Sequence, residues 1–399
     1  MFGKKKQVYN TYEYRDRAKR ILPKGLFEFI DRGAEDDVAV RNNRSKFEPI
    51  KLIPRYLVDV SKIDPSIDIF GGRIPFPAAV APTGAAGLVW HHGEIALARA
   101  AATEGVPFSL ATGSLTKLER VAEESDGRLW FQLYMWPDKS LSHALVERAK
   151  AAGYEALIFT VDIPVAPNRE FNIHNGFTMP FKFSARNVTD VVRHPVWLSN
   201  VLLRYFLGGG MPRYENYPPQ MRQSIMSRSA AGGMPLANSL TWDDLRSLRK
   251  LWSGPLMVKG ILHPEDAVRA IECGADAVII SNHGGRNLDS AIAPMDALPR
   301  VADIVKGRVP IILDGGIMRG SDIVKAVAVG ASMVMVGRSV LYGTAVAGEA
   351  GATRVISLLR QETERVMGQI GCPQVGDLSP GILLHEERPS SDQFTQPGG

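Results

Sequence analysis

The sequence predicts an α/β fold, a TIM (β/α)8 barrel, on three observations. Eight short apolar runs recur along its 399 residues, segments of helical spacing separate most of them, and polar, glycine-rich motifs follow the runs. The runs are Ala78–Ala81, Phe108–Ala111, Leu129–Leu133, Ala156–Thr160, Leu256–Lys259, Ala277–Ser281, Ile311–Asp314 and Met333–Val336. Short runs bounded by turn residues read as parallel strands buried on both faces. A doubly wound sheet usually has fewer strands, so eight units favour a closed barrel.

Residues 1–70 read as a helical extension preceding a barrel that occupies 71–370 of one domain. After strand five, Ala267, Ala270 and Ile271 share a helical face, with Pro264 at the first turn and Gly274 just past the end. After strand seven, Ser321 is placed to cap a helix carrying Ile323, Val324 and Val327, which Gly330 stops. Strands four and five start at Ala156 and Leu256, a far wider interval than between other neighbours. The interior of that gap, about 181–234, reads as a long basic insert: a lid, a binding loop or a disordered segment. The tail 386–399 is polar and expected to be mobile.

Composition sets bounds. With 45% hydrophobic and 22% charged residues the chain is ordinary globular material. Two cysteines, Cys273 and Cys372, make neither a disulfide framework nor a metal cluster, which fits a reducing compartment; no metal is expected. The start, Met1-Phe2-Gly3-Lys4, has no apolar segment behind it and reads as no signal peptide. No run approaches the ~20 apolar residues of a membrane-spanning helix. The net charge is +5, and seven basic residues between Lys182 and Arg228 face only Asp190 and Glu215. No motif built for a nucleic-acid groove accompanies them, so nucleic acid is not an expected partner.

Chemistry-bearing side chains collect after the strands, the barrel end where catalytic groups gather. Ser281-Asn282-His283-Gly284-Gly285-Arg286 follows strand six, with a base and a fixed cation three positions apart. That pairing suits proton abstraction beside an anion or carbonyl; the bland alternative is a loop histidine capping a strand. Asp162 follows strand four, where it could hold the imidazole's second nitrogen, and Arg169 lies further along the same loop. Lys259 closes strand five, and Gln132 and Tyr134 flank Leu133 and so face one side. Asp314-Gly315-Gly316 and Gly337-Arg338 follow strands seven and eight, the two loops between which barrels commonly hold a phosphate.

From Leu22-Pro23-Lys24 through Ser379-Pro380, and in its Ser-Asn-His-Gly-Gly-Arg, Val-Lys-Gly and Phe-Gln-Leu-Tyr motifs, the chain resembles the FMN-dependent (S)-2-hydroxy-acid dehydrogenase and oxidase family. His194-Pro195-Val196-Trp197 and Gly210-Met211-Pro212 have counterparts in its membrane-associated mandelate and lactate dehydrogenase branch. The resemblance implies that His283 is the base, with Asp162 its partner. Arg286 and Arg169 would bind the substrate carboxylate, Tyr134 would hydrogen-bond the reacting hydroxyl, and Lys259 would sit by the flavin's N1 and C2 oxygen. It places Ala81, Pro82, Thr83, Gln132, Thr160 and Ser281 around the isoalloxazine ring, and Asp314, Gly316, Gly337 and Arg338 at the ribityl phosphate. Relatives are commonly tetrameric.

Three departures modify the expectation. Phe29 stands where the family usually has a tyrosine that donates to the substrate carboxylate. Gly113 and Gly84 are minimal where short-chain oxidases carry bulk, leaving room for an aryl or branched substituent. Met318 replaces the first arginine of the usual Gly-Gly-x-Arg-Arg-Gly, leaving Arg319 and Arg338 for the phosphate. The expected reaction is oxidation of a bulky (S)-2-hydroxy acid to the 2-oxo acid. The alternatives are the same chemistry on a neutral hydroxy lactone, or an oxidase using oxygen.

Within the insert, Trp197, Leu198, Val201, Leu202 and Tyr205 share a helical face. That face either packs on the barrel or a neighbouring subunit, or lies in an anionic membrane surface and delivers electrons to a quinone through residues 190–215. The second option implies a cytoplasmic protein held peripherally on the inner face of the cell membrane.

Overall fold

The computed structural model describes residues 7–177, 184–208, 210–222 and 237–385. The barrel strands are β1 (Ala78–Val80), β2 (Phe108–Ala111), β3 (Leu129–Leu133), β4 (Ala156–Thr160), β5 (Leu256–Ile261), β6 (Ala277–Ser281), β7 (Ile311–Asp314) and β8 (Met333–Val336). Each pairs in parallel with its successor, and β8 pairs back onto β1 to close the barrel. The eight strands expected from the apolar runs are the eight observed, and the fold is a TIM barrel.

Two cores follow from the two faces of the strands. Ala79, Trp130, Ile158, Met257, Ile279, Ile312 and Met335 fill the interior. The hairpin formed by Ile67–Ile69 and Gly72–Ile74 plugs its amino-terminal end through Ile69, Ile74 and Phe70. The alternate residues pack outward against the helices. Because side chains alternate with period two, the interior phase, continued two residues on, presents Ala81, Gln132, Thr160, Lys259, Ser281, Asp314 and Gly337 at the carboxyl end. One layer of packing therefore dictates which residues floor the site.

The strand regularity breaks once. The β5–β6 register shifts between Lys259 and Ile261, and Gly260 has φ of +107°. A Cβ at Gly260 would lie 2.5 Å from the Asp162 Cβ, so the bulge and the missing side chain together admit the carboxylate.

Among the described residues three helices precede the barrel, Thr11–Ile21, Lys24–Asp31 and Val38–Ser45, and all three place side chains at the carboxyl end. One helix boundary differs from expectation. The helix after β7 starts at Gly320 with Arg319 as its cap, ahead of Ser321. Asp322 takes the capping role, accepting the backbone N–H groups of Met318 and Arg319 at 3.0 and 2.9 Å. The polar tail from Glu386 lies outside the described residues, as do 178–183, 209 and 223–236 in and around the insert.

The described part of the insert corrects the orientation of its apolar face. Residues Pro195–Leu207 run as one helical stretch whose middle, Leu198–Leu202, has π pitch. Trp197 donates its indole N–H to the Leu88 carbonyl at 2.7 Å, and Val201 and Tyr205 are buried. The Tyr205 hydroxyl accepts the His92 amide at 3.3 Å. The face singled out by helical spacing thus packs onto the loop after β1. Val196, Leu203, Phe206 and Leu207 are exposed instead, with Val188 and Val192 of the helix Ala185–Val192.

Candidate active site

A cleft of about 550 Å³ opens at the carboxyl end of the barrel. Its lining includes Phe29, Ala81, Pro82, Thr83, Gly84, Gly113, Tyr134, Arg169, Lys259, His283, Arg286, Asp314, Gly316, Gly337 and Arg338. Asp162, Gln132, Thr160 and Ser281 lie directly behind that surface, joined to it by hydrogen bonds or by strand position.

His283 is the centre of the arrangement. It holds φ of +58°, in the left-handed region, immediately after β6, with glycines following at Gly284 and Gly285. A non-glycine residue held there carries strain that the surrounding structure must outweigh, a recurrent trait of functional sites. The Ser281 hydroxyl accepts the His283 amide at 3.0 Å. The imidazole Nδ1 lies 2.9 Å from Asp162 Oδ1, and Nε2 lies 3.2 Å from the Tyr134 hydroxyl. With Nδ1 protonated toward the carboxylate, Nε2 is left as the proton acceptor facing the cleft.

The electrostatics support that reading. Burial pushes the His283 pKa below its ordinary value, against the opposing charge of Asp162, so the imidazole is neutral near neutrality. Burial acts upward on Asp162, but His283 and Lys259 outweigh it and the carboxyl stays ionised. Lys259 is 4% exposed, and its ammonium lies 2.9 Å from both Asp314 Oδ2 and the Ser281 hydroxyl. Burial lowers its pKa, yet Asp314 and Asp162 more than compensate, so it remains a cation. Ser281 in turn donates to Asp314 at 2.7 Å.

Arg286 and Arg169 are among the guanidiniums that line the cleft. Arg286 donates to the carbonyls of Phe29 and Arg32 at 2.6 and 3.0 Å, and lies 5.0 Å from the Phe29 ring centroid. Arg169 donates through Nε and Nη2 to the Arg286 carbonyl at 3.0 and 2.9 Å. Burial lowers the pKa of both, Arg169 to about 10 and Arg286 also through the repulsion of Arg169. Among the described residues neither guanidinium has a carboxylate partner, and a pair of crowded, desolvated cations is a site built for an anion.

The residues fit a flavin mononucleotide. Gln132 Nε2 and Thr160 Oγ1 are buried polar atoms with no protein hydrogen-bond partner, at the ends of β3 and β4, the two strands that precede Lys259 on β5. A ring edge carrying carbonyl and N–H groups satisfies them. At the far end, Gly316 has φ of +81°, and a Cβ there would lie 2.1 Å from the Asn43 carbonyl. Arg338 also lines the cleft, donating to the Ile30 and Gly284 carbonyls at 3.0 and 2.8 Å. Arg319, expected at the phosphate, is not part of the cleft lining and pairs with Glu362: its Nε lies 2.9 Å from both carboxylate oxygens, an ion pair 43 residues apart in sequence. Arg44, not anticipated from the sequence, donates to the Gly316 carbonyl at 3.1 Å and pairs with the buried Asp322. Among the described residues, no group of three or more His, Cys, Asp or Glu could hold a metal ion.

The family model for FMN-dependent dehydrogenases matches residues 18–385. The chain belongs to the FMN-dependent dehydrogenase family. It is 41% identical over 379 residues to the (S)-mandelate dehydrogenase of Pseudomonas putida, covering 95% of this chain and 94% of that one. It is 43% identical to the L-lactate oxidase of a Nostoc species, covering 94% and 97%. The crystal structure of the monotopic membrane protein (S)-mandelate dehydrogenase superposes with a TM-score of 0.89 at 40% identity, covering 96% of this chain and all of that one. This family member is accordingly an oxidoreductase whose cofactor is FMN.

The cleft also takes aromatic side chains that no sequence pattern places there. Tyr214 and Tyr217, from the distal part of the insert, line the same cleft. No spacing pattern ties them to β2, and only the fold brings them there.

Proposed function

We propose that this enzyme oxidises an (S)-2-hydroxy acid with a bulky side chain to the 2-oxo acid. The observation that carries the reading is the His283–Asp162 pair at 2.9 Å, set with Tyr134 at 3.2 Å beside two buried guanidiniums. Arg169 and Arg286 bind the substrate carboxylate, which fixes C2 and its hydroxyl relative to the base. Tyr134, whose phenol burial keeps protonated, hydrogen-bonds the hydroxyl oxygen. His283 Nε2 takes the hydroxyl proton, and Asp162 stabilises the imidazolium that results. Bound FMN supplies the two-electron sink that receives the C2 hydrogen. Lys259, a buried cation at the end of β5, would help to hold the flavin ring and would favour negative charge on it.

A neutral hydroxy lactone is the weaker substrate class, because it would leave two buried cations without an anionic partner. Anaerobic mixing with (S)-mandelate should bleach the flavin absorbance within seconds. A flavin that stays oxidised with every 2-hydroxy acid offered, yet bleaches with a hydroxy lactone, would overturn the assignment.

The electron acceptor proposed is a membrane quinone. No helix of the described residues is long and apolar enough to cross a membrane. The support is the exposed apolar set Val192, Val196, Leu203, Phe206 and Leu207, close in sequence to Arg186, Arg193 and Arg204. Apolar side chains ringed by cations suit the anionic inner face of a cell membrane. Replacing Leu203, Phe206 and Leu207 by serine should abolish pelleting with anionic liposomes while flavin reduction persists. Unchanged pelleting would remove the membrane reading. The tetramer stays an expectation, supported by the exposed apolar side chains of Tyr56 and Leu57.

A further inference from the structure

Gly84 and Gly113 leave a space over the cleft, and the structure shows what bounds it. A Cβ at Gly84 would meet only the Gly113 carbonyl, at 3.6 Å. A Cβ at Gly113 would meet one described atom outside its chain neighbours within 4 Å, the Tyr214 Cε1 at 3.7 Å. The side chain that Gly113 lacks would therefore point at an aromatic ring from a distant part of the chain. That ring is backed in depth: Tyr214 stacks on Tyr217 with centroids 4.7 Å apart at 15°, and Tyr217 meets Trp136 edge-on at 5.7 Å. The backing is also fixed in place. Asn216 accepts the Leu118 amide at 2.9 Å and donates to the Thr116 carbonyl at 3.2 Å, while the Glu215 amide donates to the Ser114 carbonyl at 3.2 Å. Residues 214–217 are thereby laced onto the very loop that carries Gly113.

We propose that Tyr214, supported by Tyr217, is the wall of the subsite for the substituent on C2, and that it selects a flat aromatic side chain over a methyl group. The inference rests on the 2-hydroxy-acid reading above and names the residue that sets its substrate class. A planar ring entering over Gly84 and Gly113 comes to lie beside Tyr214 and meets an aromatic surface there, whereas a methyl group leaves most of that surface uncovered. The two glycines and the fixed tyrosine beside Gly113 bound a slot, with its floor set by backbone and one wall set by the insert.

The test compares kcat/KM for (S)-mandelate and (S)-lactate, measured by anaerobic flavin reduction in the intact protein. Tyr214→Ala should lower the mandelate-to-lactate ratio at least about fivefold, and Tyr214→Phe, which keeps the ring, should retain it. Gly113→Leu should lower the same ratio by filling the slot, and Tyr214→Ala added to it should restore part of the loss, since the two residues meet. An unchanged ratio in Tyr214→Ala with flavin content intact, or equal losses for both acids, would overturn the subsite. Failure of both acids to bleach the unmodified protein would instead strike the 2-hydroxy-acid reading, and the subsite would fall with it.

Discussion

Replacing Asp162 by asparagine isolates one charge. The asparagine oxygen can still accept from His283 Nδ1, the bond that spans 2.9 Å in the parent, so tautomer and ring orientation survive. The new amide nitrogen takes the place of Oδ2, a buried atom with no hydrogen-bond partner, so no existing bond is broken. What disappears is the anion that stabilises the imidazolium once His283 has accepted the substrate proton. A hydrogen bond to a charged group contributes about 1.5–3 kcal/mol. At about 1.36 kcal/mol per decade, that predicts a rate of flavin reduction roughly 10- to 150-fold slower. Because the interaction strengthens only as the proton arrives, kcat and kcat/KM should fall together. The pH profile offers a second check. His283 must be neutral to act, so activity is lost as pH falls through its pKa. Burial already lowers that pKa and Asp162 opposes the drop, so removing the charge should move the acid limb to still lower pH while the plateau declines. Stopped-flow reduction across pH 5–8, the range in which histidine ordinarily titrates, measures both. A variant within threefold of the parent, or an acid limb displaced upward, would refute the reasoning.

Other changes test other parts of the site. Met318→Arg should restore a phosphate cation and tighten FMN about tenfold without altering riboflavin affinity, read by quenching of flavin fluorescence. Phe29→Tyr, at a ring that packs 5.1 Å from Phe177, should lower KM for 2-hydroxy acids and leave hydroxy lactones unaffected. Gly316→Ala forces a methyl group to within 2.1 Å of the Asn43 carbonyl at a positive φ, so thermal stability and FMN content should fall together, by at least about 1–3 kcal/mol in stability.

How much of this was legible beforehand depends on the range of the interactions involved. The strands were visible because burial on both faces leaves continuous apolar runs such as Ala277–Ser281, and the site because a barrel projects strand ends into one mouth. The ion pair of Arg319 could not be foreseen, because its partner, Glu362, lies on a helix with no local signal linking the two. The insert face Trp197, Val201 and Tyr205 was equally ambiguous: an apolar stripe looks the same whether protein or lipid covers it. Tyr214 was invisible for a related reason, since its contact with Gly113 crosses a hundred residues of chain.

The kink in β5 extends the reach of the catalytic base beyond the groups that touch it. Gly260 bears no chemistry, yet a methyl group there would compete with Asp162 for the same volume. Displacing the carboxylate would free the imidazole to rotate, so an alanine at this position should mimic loss of the acid itself. Part of the enzyme's proton inventory is thus governed by an atom that the chain leaves out.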